Sequence, residues 1–341
     1  MNWQALQRSR VARAVLWPLS LLYGVAASAR AQAYANGRLK SRRLRAAVVS
    51  VGNLSVGGAG KTPMVLWLAE KFIAQGRSVA VLTRGYRGQD GTSDEGELLR
   101  NRLGARAMVA VGADRFAVGS ALETKRPVDI FLLDDGFQHL QLARDMDILL
   151  MDASRALAGE ALLPAGSLRE PIAAMGRADA LVFTRAETQP GISSAVSHLA
   201  DYPVFTSTTK LLGFRRFGSA DPKLLSRGEI GAGPFLAFCG LGNPQQFFRD
   251  LENWDISVAA QSIFPDHHKY SAADGARLER ATERANACGL ITTEKDAHNL
   301  KNADLRSYPV FVAVIDIAVS QEEDFLSLIA GKIAQRRGSA A

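Results

Sequence analysis

The chain has only two cysteines in 341 residues, Cys239 and Cys288, and no Cys-x-x-Cys pair. That excludes a disulfide framework and a thiolate zinc site, and fits ordinary thiols in a reducing compartment. Acid is missing from the first 45 residues, which hold nine basic ones: Arg8, Arg10, Arg13, Arg30, Arg38, Lys40, Arg42, Arg43 and Arg45. The rest of the chain has 32 basic against 34 acidic residues, so the net charge of +7 belongs to the N-terminus. A nucleic-acid binder spreads its basic surface over the folded domain, so no nucleic-acid partner is expected. Internal repeats, low-complexity tracts and heptads are also missing, which excludes solenoid and coiled-coil architectures. What remains, at 47% hydrophobic content, is enough for the cores of two domains.

The strongest positive signal is Ser55-Val56-Gly57-Gly58-Ala59-Gly60-Lys61-Thr62-Pro63. A β-branched run at 47–54 precedes it, and an apolar helical pattern (Val65, Leu66, Leu68, Ala69, Phe72) follows. Strand, glycine-rich loop and helix form the context of a phosphate-binding loop. Its N–H groups crowd around phosphate oxygens, and the helix N-terminus adds a favourable dipole. Lys61 then reaches the β- and γ-phosphates, and the Thr62 hydroxyl ligates Mg²⁺. The strict pattern wants glycine where Ser55 stands, so a glycine-rich turn before Lys-Thr is the competing reading. Val56 stands where dimeric switch ATPases carry a second lysine, which argues against that class.

The apolar segment at residues 14–29 is sixteen residues long, about 24 Å as a helix against a hydrocarbon core of about 30 Å. Its basic flanks suit an anionic membrane surface, each nearby Lys or Arg adding about 1 kcal/mol. A helix lying in the cytoplasmic leaflet is expected. A secretory signal peptide cleaved near Ala31-Gln32-Ala33 competes. The phosphate loop favours the anchor, because a nucleotide enzyme belongs where ATP is.

Short apolar runs at 79–83, 108–111, 128–133, 146–151 and 180–183 alternate with helix-compatible stretches, which predicts an α/β fold with a mainly parallel sheet. Ligands in such sheets gather at the carboxyl ends of strands, where Gly57, Arg84 and Asp134 fall. The expected organisation is a membrane-associated segment at 1–45, a phosphate-loop core at 46–205, a polar, β-prone link at 206–218 and a smaller α/β domain at 219–330. Runs at 235–238, 247–251, 290–293 and 310–317 build the last of these. Residues 85–96 read as a loop and 336–341 as a frayed tail.

Phe131-Leu132-Leu133-Asp134-Asp135-Gly136-Phe137-Gln138-His139 ends an apolar strand in two acids. Alone, such an end is a turn or a helix cap. Beside a phosphate loop it is a Mg²⁺ site, since Mg²⁺ takes few carboxylates together with phosphates and waters. Asp94-Glu95 reads as solvated loop acid, and His267-His268 as a surface turn or as a histidine that tunes a carboxylate base. Arg169, in Leu163-Pro164-Ala165-Gly166-Ser167-Leu168-Arg169-Glu170, suits phosphate recognition or a structural ion pair.

Taken together, these motifs resemble the tetraacyldisaccharide 4′-kinase family of lipid A biosynthesis. The resemblance rests on Gly52 to Pro63, Arg84-Gly85-Tyr86, Asp134 to His139, Leu163 to Gly166, Phe264-Pro265-Asp266-His267 and Thr293-Glu294-Lys295-Asp296, in that order over nearly the whole chain. A hydroxyl residue at position 55 is ordinary in that family. The resemblance implies a lipid kinase of the bacterial inner membrane, on its cytoplasmic face. It would move the γ-phosphate of ATP, with Mg²⁺, to the 4′-hydroxyl of an acylated glucosamine disaccharide 1-phosphate, with membrane lipids as further partners. It implies Asp94 as catalytic base with His267 beside it, and Lys61 on the phosphates. Residues 55–62 bind the nucleotide, Thr62, Asp134 and Asp135 the metal, and Gln138, His139, Arg169 and Glu170 the substrate. In the family's Gly-Asp-Glu-Pro motif this chain has Ser93-Asp94-Glu95-Gly96, after a shortened loop; Asp135 is the next candidate base. The alternatives are a soluble GTPase or ATPase acting as a switch or metallochaperone, and a tethered binding module without catalysis.

Overall fold

Ala47 to Asn53 is buried at every position and forms β1 (Ala47–Asn53), as expected of a central parallel strand covered on both faces. The structure is a computed structural model that describes residues 10–85, 93–155, 160–189, 202–219, 221 and 223–338. Tyr86 and most of the expected loop at 85–96 lie outside the described residues. The chain divides into two compact units. The first comprises Met1–Arg84, Leu103–Thr208 and Ile317–Ala341, and the second Gly85–Arg102 and Thr209–Asp316. This division is discontinuous, unlike the contiguous boundaries expected at 205 and 218.

In the first unit, α1 (Arg10–Ala35) precedes β1, followed by α2 (Lys61–Ala74) and β2 (Val79–Thr83). Of the second unit's α3 (Asp94–Leu103), only the last residue belongs here. Next come β3 (Met108–Val111), α4 (Arg115–Lys125), β4 (Ile130–Asp134), β5 (Met146–Asp152) and β6 (Ala180–Thr184). The strand order is β3-β2-β4-β1-β5-β6, with the start of β7 (Val204–Arg216) beside β6, and these pairings are parallel. α2 buries Met64 through Ala69 and Phe72, each large side chain contributing about 1.5–3 kcal/mol of transfer energy. Trp67 stacks on Phe325 of α8 (Glu322–Gly338), which also meets Phe205 of β7.

The residues read as a frayed tail continue α8 to Gly338, because Arg336 pairs with Asp179 at 2.9 Å and Arg337 donates to the Arg45 and Ala46 carbonyls. Likewise α1 is longer than the apolar run, at 26 residues or about 39 Å. One face docks on the 160–170 segment. The Ala165 amide donates to Ser20 Oγ at 2.9 Å, Tyr23 O–H donates to the Arg169 carbonyl at 2.8 Å, and a Cβ at Gly24 would lie 2.6 Å from Leu162. Val11, Val15, Leu22 and Val25 are 68–75% exposed.

In the second unit the strand order is β11 (Val310–Val319), β10 (Gly289–Thr293), β8 (Phe235–Cys239), β9 (Val258–Ile263), again with parallel pairing, and the later part of β7 lies next to β11. The segment expected as a link is therefore a strand. Alternation sorts β8 onto two cores: Phe235, Ala237 and Cys239 pack with Phe247, Phe248 and Leu251 of α5 (Pro244–Asn253), while Leu236 and Phe238 pack with Tyr270 and with Leu278 of α6 (Ala272–Arg284). α3 joins this unit through Arg102, which bonds Glu294 of α7 (Glu294–Ala297) at 2.9 Å and the Ile315 carbonyl at 3.1 Å. Asp94 thus opens a helix, whereas the sequence placed it in a loop. Ser93 caps that helix, its Oγ accepting from the Gly96 amide at 3.0 Å.

Candidate active site

Register aligns Val51 of β1 with Asp134 of β4, and Leu82 of β2 with Leu133. The carboxyl ends of β1, β2 and β4 therefore lie side by side, as read from Gly57, Arg84 and Asp134. Gly57 and Gly60 take left-handed conformations at φ 117° and 77°, and glycine adopts these without strain. The loop is held from two directions. The Val56 amide donates to the Ser167 carbonyl at 2.7 Å, and Thr184 Oγ1 donates to the Ala59 carbonyl at 3.2 Å. Gly58 has open space above it, and Asn53 Nδ2 reaches Ser55 Oγ at 3.5 Å. Lys61 Nζ donates to Asn53 Oδ1 at 3.1 Å and the Gly57 carbonyl at 3.3 Å, with Asp135 Oδ1 at 3.7 Å. The lysine is curled over its own loop.

The two adjacent acids have different partners. Thr62 Oγ1 donates to Asp134 Oδ2 at 3.1 Å. Asp135, at φ 57°, instead accepts from one Arg169 nitrogen, Nη1, which lies 2.8 Å from each carboxylate oxygen. Burial alone would raise the Asp135 carboxyl, but Lys61, Arg169 and Arg115 outweigh it and hold it below the ordinary carboxylate range. A hydroxyl and a carboxylate in contact at the start of α2 fit the hard oxygen donors Mg²⁺ takes.

Of the residues read as substrate-facing, Glu170 is buried and paired with Arg177 at 2.7 Å, a structural ion pair. Gln138 Nε2 donates to the Asn53 carbonyl at 3.1 Å, and its backbone carbonyl accepts from Arg30 of α1 at 3.2 Å. Gln138 Oε1 and His139 Nε2 are buried without a hydrogen-bond partner among the described residues. Burial, with Arg115 and Arg144 nearby, pulls the His139 imidazole down to about 4. The sequence reading missed Arg115. It is 5% exposed, 3.4 Å from His139 Nδ1, and feels the charges of Arg84, Asp134 and Asp135. Its place after the Asp114 cap of α4 gave no signal beyond an ordinary helix start.

Within the second unit, Asp94 and His267 come together from 173 residues apart, Nδ1 lying 2.9 Å from Oδ2. Neither the surface turn nor the solvated loop acid describes them. His267 takes φ 60°, turning the chain after Phe264-Pro265-Asp266, and its amide donates to the Gly240 carbonyl at 3.3 Å. Asn299 Nδ2 donates to the same Asp94 oxygen at 3.0 Å. Burial pushes the Asp94 carboxyl up, but the His267 and Asn299 hydrogen bonds, and the charges of His267 and Lys295, outweigh it and hold it low. His267 is raised by its bond to Asp94, against burial and the charge of Lys295. Asp94 is thus a carboxylate at neutral pH, half-buried and oriented.

Known proteins resemble this chain over most of its length. A sequence model of the family described as tetraacyldisaccharide-1-P 4′-kinase matches residues 12–334. The chain is 38% identical to a tetraacyldisaccharide 4′-kinase of Geobacter metallireducens, over 91% of this chain and 95% of that one. It is 41% identical to another of Syntrophobacter fumaroxidans, over 84% and 79%. Among solved structures it is similar to LpxK from Aquifex aeolicus in complex with ATP. That likeness has a TM-score of 0.76 at 31% identity and covers 94% of this chain and 99% of that one.

Proposed function

The chain belongs to the tetraacyldisaccharide-1-phosphate 4′-kinase family, and from that premise we propose that it transfers the γ-phosphate of ATP to the 4′-hydroxyl of tetraacyldisaccharide 1-phosphate in lipid A biosynthesis. The observation that carries the reading is the Asp94–His267 hydrogen bond. A sugar hydroxyl needs a proton acceptor as it attacks phosphorus, and a histidine-oriented carboxylate is one. A nucleotide switch would have no use for that pair.

Residues 55–62 cradle the phosphates, with the loop amides and the α2 N-terminus supplying positive potential. Lys61 leaves Asn53 and Gly57 to offset charge on the β- and γ-oxygens. Thr62 and Asp134 would hold Mg²⁺, which when bound neutralises charge developing between the β- and γ-phosphates. Asp135 is engaged by Arg169 and keeps Lys61 and Arg169 in place. Asp94 accepts the hydroxyl proton as the sugar oxygen bonds to phosphorus and the bond to ADP breaks. Gln138 and His139, with their unsatisfied buried atoms, are the candidate polar contacts to the acceptor.

The cytoplasmic face of the bacterial inner membrane is the proposed site of action. The docked face of α1 and its outward Val11, Val15, Leu22 and Val25 support an anchor that is kept, with Ala31-Gln32-Ala33 inside the helix. The test is ADP release with purified protein, ATP and the lipid disaccharide. Acceptor-dependent turnover is expected, and turnover indifferent to the acceptor would favour the switch reading.

A further inference from the structure

The segment at 162–169 touches α1 on one side and the phosphate loop on the other. Toward the loop, Ser55 and Leu168 form an antiparallel bridge. The Val56 amide donates to the Ser167 carbonyl and the Arg169 amide to the Leu54 carbonyl, both at 2.7 Å. Toward the helix, Ser20 Oγ accepts from the Ala165 amide, and Tyr23 O–H donates to the Arg169 carbonyl. Arg169 is therefore bonded to the loop through its amide and to α1 through its carbonyl. The turn between is closed on itself. The Leu163 amide donates to the Leu168 carbonyl at 2.8 Å, the Gly166 amide to the Leu162 carbonyl at 2.9 Å, and a Cβ at Gly166 would collide with the Ala161 carbonyl. A shift imposed on one side of so tight a turn reaches the other. A second connection lies further along the helix. Arg30 donates to the Gln138 carbonyl at 3.2 Å, and Gln138 Nε2 donates to the Asn53 carbonyl at 3.1 Å, where β1 runs into the loop.

Ser20, Tyr23, Gly24 and Arg30 are spaced as one face of a helix, and the exposed Val11, Val15, Leu22 and Val25 as the opposite face. In water that apolar row works against an ordered, docked helix. A lipid surface takes up the row only as a formed helix, and so favours the arrangement in which Ser20 and Tyr23 meet their partners. A ligand that prefers one arrangement shifts whatever is built on it. Burial and the charge of Glu170 raise the Tyr23 phenol, which keeps it a donor at neutral pH.

We propose that Ser20 and Tyr23 are positioning residues through which a lipid surface acts as an effector of the nucleotide site. α1 seated in the bilayer steadies residues 162–169, and these hold the phosphate loop in the form that takes nucleotide. This rests on the readings of 55–62 as a phosphate loop and of α1 as the anchor. Nucleotide is then held tightly where the lipid acceptor lies and less tightly away from it. The coupling is reciprocal, so the factor that the bilayer adds to nucleotide affinity is the factor that nucleotide adds to bilayer affinity. Couplings between sites run from about 5- to 150-fold, and a link through two hydrogen bonds belongs at the low end, about five- to tenfold.

The experiment partitions the full chain, at trace concentration, onto limiting vesicles of phosphatidylethanolamine and phosphatidylglycerol. It is run with and without a non-hydrolysable ATP analogue and Mg²⁺, and the Kd of the analogue is measured with and without vesicles. Wild type should show one factor, about five- to tenfold, in both directions. The double variant Ser20→Ala/Tyr23→Phe keeps the outward apolar row, so it should still bind vesicles and analogue, with the factor reduced to near one. Tyr23→Phe alone should lose part of it, and the equality of the two wild-type factors tests the coupling without any variant. An analogue affinity indifferent to vesicles in wild type overturns the proposal. So does a double variant weakened equally with and without vesicles, the mark of merely structural contacts. Coupling that appears only when the vesicles carry the disaccharide 1-phosphate also overturns it, the substrate then being the effector. A wild type that binds no analogue would instead remove the phosphate-loop reading, and one that binds no vesicles the anchor reading, and the proposal would fall with either.

Discussion

Replacing Asp94, His267 or both by alanine measures whether the two act as a unit. Loss of a general base costs about 10²–10⁴-fold, or about 2.7–5.4 kcal/mol at about 1.36 kcal/mol per decade. The geometry ranks the singles. Asp94→Ala removes the proton acceptor itself and belongs at the upper end. His267→Ala leaves Asp94 oriented by Asn299 at 3.0 Å and belongs at the lower end. Independent action would multiply the losses to about 10⁴–10⁸-fold. Groups that work through one hydrogen bond are non-additive, so the double variant should match Asp94→Ala. A hydrogen bond to a charged group contributes about 1.5–3 kcal/mol to folding, so thermal melts must first show each variant folded at the assay temperature. The assay is phosphoryl transfer at saturating ATP and lipid, with the KM for ATP recorded as a control that should change little. Multiplicative losses would refute the coupled pair, and an unimpaired Asp94→Ala would move the base to another carboxylate.

Lys61→Ala should lower kcat by about 10²–10³-fold, the scale of losing a preorganised charge contact; near-normal transfer would sink the phosphate-loop assignment. Deleting residues 1–35 should shift the protein to the soluble fraction on membrane sedimentation, and unchanged sedimentation would place the anchor elsewhere. His139 bears on stability against acid. Its folded value of about 4 lies below the ordinary 6.5, so between these values the unfolded chain binds the extra proton and stability falls as pH falls. His139→Gln should flatten the denaturant-midpoint slope across that window, and an identical slope would contradict the buried neutral imidazole.

Much of the parallel sheet was legible because buried parallel strands are short, continuous apolar runs with polar borders. The run at 79–83 coincides with β2 and that at 108–111 with β3. Helix α3 was not legible, since Asp94-Glu95-Gly96-Glu97 is strongly polar and only its C-terminal part supplies fully buried leucines, Leu99 and Leu103. Nor was its membership of the second unit, which depends on contacts such as Arg102–Glu294 across 192 residues of chain. Asp134 and Asp135 look alike in sequence. The left-handed turn at Asp135 separates them, giving one to Thr62 and the other to Arg169. The phosphate loop and the Asp94–His267 pair were visible as motifs, but Tyr23 was visible only as a letter in the apolar segment at 14–29. Its bond to the Arg169 carbonyl, 146 residues away, exists only in three dimensions.

Product analysis tests the central claim most directly. Purified enzyme is incubated with γ-labelled ATP, Mg²⁺ and tetraacyldisaccharide 1-phosphate in mixed micelles, and the phosphorylated lipid is examined by phosphorus NMR. The account predicts a second monoester on the 4′-oxygen, formed one for one with ADP and formed at least about a hundredfold more slowly in Lys61→Ala and Asp94→Ala. ADP formed without a labelled lipid, or label on any other oxygen, would contradict it.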